Sequence, residues 1–364
     1  MRRSSTMAKA RPKQQHYVTK AYLDGFLAPG ANQLVCYARN GKMFPRRTQD
    51  IAKERNFYAF ENEKGEWDDS LEKIIERTVE SPGLPVLHKL AKGNTRLNWD
   101  ERTALALLVA FQEVRTPASL QRTIDYTKAM TERLLRDVRA ANPTQETIDL
   151  VGKDGKKNSV TLAEIEESQA DLEKKNSFEK LRLAMGPAME LYQYYRQMKF
   201  TVHYPLGAQR FITSDTPVIR VYSHTGYGTG LNRNDVELRF PVSNSAFLTI
   251  THDLKFAEEL IRATEAKRAK LLNRLPEVQI RYISDAQVVA FNKGHVRHAR
   301  MWIFSSEKSE WIHELLKERS AAPEVADLST RDLYHFQSKV NYDPRMDAPK
   351  PDRQTGSERG RGEA

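Results

Sequence analysis

Apolar positions along this chain change period twice, dividing it into a strand-rich start, a helical middle and a strand-rich end. Near the start, Leu34-Val35-Cys36-Tyr37 and Lys42-Met43-Phe44 flank Asn40-Gly41, a dipeptide suited to the tight turns of β-hairpins. Asn56-Phe57-Tyr58-Ala59-Phe60 reads as another strand. From Asp68 the period turns helical: Leu71, Ile74, Ile75, Thr78 and Val79 share a face, and Ser81-Pro82-Gly83 is expected to stop the helix. Asn98-Trp99-Asp100 starts a helix whose Leu105, Leu108, Val109 and Phe111 predict burial until Arg115-Thr116-Pro117 breaks or bends it. A charged amphipathic helix follows over about 118–139. Another runs over 177–198, where Gly186-Pro187 predicts a kink. Between them, residues 142–176 read as an exposed excursion with a helix of its own.

From Phe200 the period shortens to two. Residues 200–204, 210–213, 218–222, 236–240 and 246–250 form five candidate strands, with turn-rich spacing that suggests an antiparallel or mixed sheet. Helices over 254–272 and 284–298, a strand over 301–304 and a helix from Ser309 complete the pattern. The fold class expected is α+β: an N-terminal hairpin, a central helical bundle and a C-terminal antiparallel or mixed sheet with flanking helices. Residues 14–319 read as one domain, between a disordered basic leader over 1–13 and a disordered tail over 320–364.

Composition adds limits. Residues 1–15 are basic and polar, unlike a signal peptide, and no run approaches the roughly eighteen apolar residues of a transmembrane helix. One cysteine, Cys36, leaves no intrachain disulfide and no cysteine-based zinc site. These features point to a soluble cytoplasmic protein that does not enter a membrane. The net charge of +10 is unevenly placed: residues 1–20 carry six Lys or Arg and no acid, and residues 320–364 carry seven Lys or Arg against eight acids. More than half of the excess therefore lies in the N-terminal arm, where it would draw RNA or DNA without sequence preference.

Phosphate-loop, nucleophile-elbow and His-Glu-x-x-His signatures are absent. Gly226-Tyr227-Gly228-Thr229-Gly230 is followed by a strand, so it reads as a hairpin loop. His295 and His298 share a helix with Arg297 and read as a solvated basic face. Glu72, Glu76 and Glu80 make a carboxylate stripe, mostly solvated in this reading; alternatively Glu72 or Glu76 joins another acid around a divalent metal ion. Arg115 closes a buried helix and needs a carboxylate or an anion, with Asp215 or Glu76 as its expected partner. Thr213-Ser214-Asp215 ends a strand before Pro217, which makes either a site at a sheet margin or an Asx turn. At the head of the chain, His16-Tyr17 leads into a short segment with Val18, Ala21, Tyr22 and Phe26 on one helical face.

The order of these features resembles domain-of-unknown-function family 4238, whose opening motif is His-Tyr-Val-Pro. The match runs through His16-Tyr17-Val18, Tyr22-Leu23, Phe26, Phe57-Tyr58, Leu71-Glu72, Ile75-Glu76, Arg115-Thr116-Pro117, Thr213-Ser214-Asp215, Pro217, Phe240-Pro241-Val242-Ser243 and Asn292. It covers about 14 to 306. Thr19 stands where the family usually has proline, so a rigid turn is dispensable there or a threonine cap replaces it. The family supplies no established activity, so the resemblance implies a fold unit and a shortlist of residues.

From that shortlist the leading expectation is a hydrolase acting on nucleic acid, of the kind found in ribonuclease-like toxins or defence effectors. His16 would be its acid or base, and Arg115 would hold a phosphate. Asp215 would orient His16 or bind a metal with Glu76, and Tyr17 would pack or donate a hydrogen bond. Thr213, Ser214 and Asn292 are candidates for substrate contact, Glu72 and Glu76 for a metal. The alternative is a non-catalytic binding or interaction module with His16, Arg115 and Asp215 as structural ties.

Overall fold

The computed structural model describes residues 14–61, 67–68, 70–151, 155–174, 177–222, 231, 233–272 and 274–321. The expected leader, the tail beyond 321, the glycine loop over 226–230 and part of the excursion lie outside the described residues.

The chain enters through β1 (Gln15–His16) and α1 (Lys20–Asp24). Thr19 precedes α1 in extended conformation, but its side chain makes no capping bond, so the threonine cap is not used. β2 (Leu34–Ala38) and β3 (Met43–Arg46) form the expected antiparallel hairpin, with Gly41 at a φ of 80° that favours glycine. β4 (Lys53–Glu54) then pairs back onto β1. The strand expected over 56–60 is not formed. Asn56 adopts a left-handed φ of 56°, which turns the chain so that Phe57 and Tyr58 plug into the core. Only Phe60 is extended, in β5 (Phe60–Glu61) beside β6 (Trp67–Asp68).

α2 (Ser70–Ile75) does not stop at Ser81-Pro82-Gly83. It widens into a π-helical turn over Glu76–Glu80 and continues as α3 (Ser81–Ala91). The wider turn, closed by the Ser81 N–H on the Glu76 carbonyl, makes room for Pro82 in a helix that proline would otherwise break. α4 (Trp99–Val114) begins in a reciprocal capping box between Asn98 and Glu101. Thr116 caps α5 (Pro117–Ala141) by accepting the Ser119 N–H. The excursion contains a hairpin absent from the sequence reading, β7 (Thr147–Val151) with β8 (Lys157–Thr161), and then α6 (Leu162–Lys174), tied back to α5 by Arg139–Glu166. α7 (Ser177–Tyr195) runs through Gly186-Pro187 without interruption.

The last third holds β9 (Lys199–Pro205), β10 (Thr213–Ser214), β11 (Ile219–Tyr222), β12 (Val236–Ser243) and β13 (Ala246–Thr251). α8 (Leu254–Arg262), α9 (Glu265–Leu272), β14 (Gln279–Ile283), α10 (Asp285–His298), β15 (Trp302–Ser305) and α11 (Glu310–Ala321) follow. Five strands form a mixed sheet in the order β11-β12-β13-β9-β14, antiparallel except where β14 runs parallel to β9. Four form a second sheet, β10-β15-β2-β3, which joins both ends of the chain. The class is therefore α+β. Phe200, Val202, Leu238, Phe240, Leu248 and Ile250 alternate onto one face of the mixed sheet and belong to the main core with Leu105 and Val109 of α4. Arg102 enters that core because its guanidinium donates to the carbonyls of Arg196, Met198 and Pro276 and stacks over Phe200.

Candidate functional site

His16 and Tyr17 are held in an extended, hydrogen-bonded seat between helices. Gln15 Nε2 donates to Glu72 at 2.8 Å, and Gln15 Oε1 accepts the Tyr58 N–H at 2.7 Å. The Tyr58 hydroxyl donates to the His16 carbonyl at 3.0 Å, and Gln112 donates to the Tyr17 carbonyl at 3.2 Å. Ala52, at a left-handed φ of 50°, turns its carbonyl to accept the N–H groups of both Tyr17 and Val18. The segment is thus bolted to α2 through the Gln15 side chain and to α4 through its backbone.

Arg115 is fully buried at the end of α4. Its Nη1 meets Glu80 at 2.5 Å, while Nε and Nη2 both donate to Gln112 Oε1 at 3.1 and 2.7 Å. The expected partner was Asp215 or Glu76; the observed one is Glu80. The π turn adds a residue to the helical repeat, which brings Glu80 inward and leaves Glu76 exposed. His16 lies close enough to feel both charges of this pair. Burial holds its imidazole below the ordinary range, opposed by a hydrogen bond with the Thr48 backbone. Its Nε2 is buried without a hydrogen-bond partner.

Asp215 does not orient His16. Its carboxylate accepts the backbone N–H groups of Arg300 at 2.9 Å, Met301 at 2.7 Å and Trp302 at 3.2 Å, which ties β10 to the start of β15. Burial pushes its pKa up to about 6, against the pull of those three donors. The Asx turn is also corrected: the carboxylate reaches another strand instead of the next residues. Tyr17, not His16, faces this charge; burial and then Asp215 hold its phenol well above its usual range.

The substrate-contact candidates are internal as well. The Tyr22 hydroxyl lies 2.9 Å from the Pro241 carbonyl, to which it must donate, so the Thr213 hydroxyl at 2.8 Å donates to Tyr22. Ser214 Oγ donates to the Thr216 carbonyl and accepts the Thr216 N–H. Asn292 accepts the Ile212 N–H at 3.1 Å and donates to the Arg210 carbonyl at 2.8 Å. All three are buried. Glu72 is bonded to Gln15 and Glu76 is exposed; among the described residues no three His, Cys, Asp or Glu side chains are grouped to hold a metal ion. Among the described residues the divalent-metal expectation thus finds no donor set of that size. His295 is fully buried beside Phe247, so it is not part of a solvated face.

A family model described as "Protein of unknown function (DUF4238)" matches residues 14–309. The chain belongs to this family. The matched span contains the His16 seat, the Arg115–Glu80 pair and the Asp215 tie. No curated protein and no solved structure matches the chain.

Within the family span lies a recess that the sequence reading did not single out. It measures about 390 Å³ and is lined by Lys92, Gly93, Tyr204, Gly207, Arg210 and Tyr282, among others. A second recess of about 160 Å³, with Tyr22 and His88 in its wall, shares Ala91 and Ser245 with it. The signal available in sequence was faint: Arg281-Tyr282 lie together, but Arg210 and Lys92-Gly93 both precede them by more than 70 residues. Only the register of β14 on β9 sets Tyr282 beside Tyr204.

Proposed function

We propose that this chain is a non-catalytic binding module for nucleic acid, in which His16, Arg115 and Asp215 are structural ties. One observation carries the structural half of the proposal: the charged groups of Arg115 and Asp215 are occupied by partners within the chain. An arginine already saturated by Glu80 and Gln112 has little left to offer a phosphate. The net charge of +10, concentrated in residues 1–20, supports a polyanionic partner. A cytoplasmic setting is inferred with it, supported by a single cysteine that is buried and free. The described residues include no helix long and apolar enough to cross a membrane.

The hydrolase reading, a ribonuclease-like toxin or defence effector, is the second reading and has one specific feature in its favour. His16 carries an unbonded Nε2 beside the Arg115–Glu80 charges, the kind of nitrogen that an acid or base needs. Substituting His16→Ala in the full chain separates the two. As a structural tie, His16→Ala lowers the melting temperature and leaves oligonucleotide affinity at 25 °C unchanged. RNA cleavage by the parent chain that disappears in His16→Ala at an unchanged melting temperature would overturn the binding-module reading.

A further inference from the structure

We infer that the recess between the end of α3 and the edge of the mixed sheet is a binding site for single-stranded nucleic acid, with a base stacked on Tyr282 and its phosphate held by Lys92 and Arg210. This inference rests on the nucleic-acid reading above and gives it a place on the molecule.

Stacking needs an accessible ring on a stiff support. Tyr282 is 66% exposed, yet its backbone is locked in β14 opposite Tyr204 of β9. The two rings lie 5.9 Å apart at 37°, and the Tyr204 hydroxyl donates to the Leu90 carbonyl at 2.7 Å. Tyr204 is therefore fixed, and the outer face of Tyr282 is presented over it. Every base has a π-face, so a platform of this kind accepts bases without reading their edges.

The charges around the platform fit a phosphate. Lys92 and Arg210 are exposed and line the recess, and among the described residues neither forms an ion pair. Arg210 donates to the carbonyls of Gly207 and Gln209. Its own loop is braced from beneath: Asn292 holds the Arg210 carbonyl and the Ile212 N–H, and Asp285 accepts the Gln209 N–H at 3.0 Å. Asp285 borders this loop, and its carboxylate is engaged on that N–H. A Cβ on Gly207 would stand 2.4 Å from the Asp285 carboxylate, so a side chain there would push that carboxylate aside. The carboxyl end of α3 points here too, and its negative partial charge opposes an anion. That end is capped, however, by the N–H groups of Lys92, Gly93 and Asn94 on the carbonyls of His88, Leu90 and Lys89. A cation at Lys92 offsets what remains. Asn292 thus acts by shaping the loop that displays Arg210.

The test uses the full chain and two fluorescein-labelled probes of equal length, an oligouridylate and its abasic counterpart, read by anisotropy across a salt series. The expected result is tighter binding of the oligouridylate, with Tyr282→Ala weakening it about tenfold and erasing the preference over the abasic probe. Tyr282→Phe, which keeps the ring, retains the parent affinity. Lys92→Ala reduces the salt dependence by roughly 0.7 in log–log slope, the amount for one phosphate on a single strand. Circular dichroism melts of each variant confirm that the fold is kept. Parent binding of oligouridylate with Tyr282→Ala and Lys92→Ala indistinguishable from it would overturn the recess alone. If the parent chain binds neither probe, the nucleic-acid reading falls, and this site with it.

Discussion

Arg115 and Asp215 are both buried charges, and each is neutralised by a different device. Arg115 uses a counter-ion, Glu80, and the oxygen of Gln112; Asp215 uses three backbone N–H groups from one turn of chain. A side chain without an accepting oxygen would leave all three N–H groups unanswered. Asp215→Ala is therefore expected to lower unfolding stability by about 2 kcal/mol in urea titrations at neutral pH. Unchanged stability would show that the three bonds are not holding β15. Sequence alone marked Arg115 as needing a partner, since a charged group at the end of a buried helix must be satisfied, and left Asp215 between a site at a sheet margin and an Asx turn. It could not name Glu80, because a regular 3.6-residue repeat put Glu76 in the same stripe and gave no sign of the wider turn. Thr213 and Ser214 were visible as polar groups at a strand end and Asn292 only through the family resemblance, but not that each is answered from within the chain.

At the scale of elements, the α3–α4 contact depends on an absent side chain. A Cβ on Gly83 would lie 2.8 Å from Leu108 Cβ and 3.2 Å from the Ala104 carbonyl, too close for either helix to remain where it is. Gly83→Ala is expected to cost about 1–3 kcal/mol by thermal melting, despite the gain in helix propensity that alanine ordinarily brings. A stabilised variant would mean that the helices separate freely. The same Ser81-Pro82-Gly83 reads as a stop in sequence, since proline and glycine normally end helices. It fails as one because the π turn accommodates Pro82 and close packing requires Gly83. The hairpin, α4, α5 and most strands of the mixed sheet were legible from period and caps. β14 was not: Gln279, Ile280, Arg281 and Tyr282 are all exposed, so the strand has no buried stripe to reveal it.

For the whole molecule, the buried histidines set a response to acid. Burial pushes His203 down to about 4, with Arg281 and Arg239 adding to the effect, and burial holds His295 well below the ordinary range. Above about pH 6.5 these rings are neutral whether the chain is folded or not. Below it the unfolded chain binds protons that the folded one refuses, so stability falls as the pH drops towards 4. His203 accounts for about 3 kcal/mol of that fall. Asp215 acts in the opposite sense, because a carboxyl raised to about 6 costs stability as the pH rises from roughly 3.8 to 6. Melting temperatures measured between pH 7 and 4.5 should decline on acidification, and His203→Gln should flatten the decline. A profile identical to the parent's would remove His203 from this account. The α+β class was legible because local period reports local structure. Which strands share a sheet was not, since β2 and β15 are separated by more than 260 residues and no local pattern records their pairing.

That pairing fixes when the protein can be finished during synthesis. β15 lies between β2 and β10, so the second sheet has no centre until residue 305 has left the ribosome. At ordinary elongation rates β2 therefore waits on the order of ten to fifty seconds with one edge open. An open edge is a template for the wrong neighbour, including another nascent copy of the same hairpin. Its defences are small: β3 covers the far side, and Arg46 and Arg47 charge the hairpin's end.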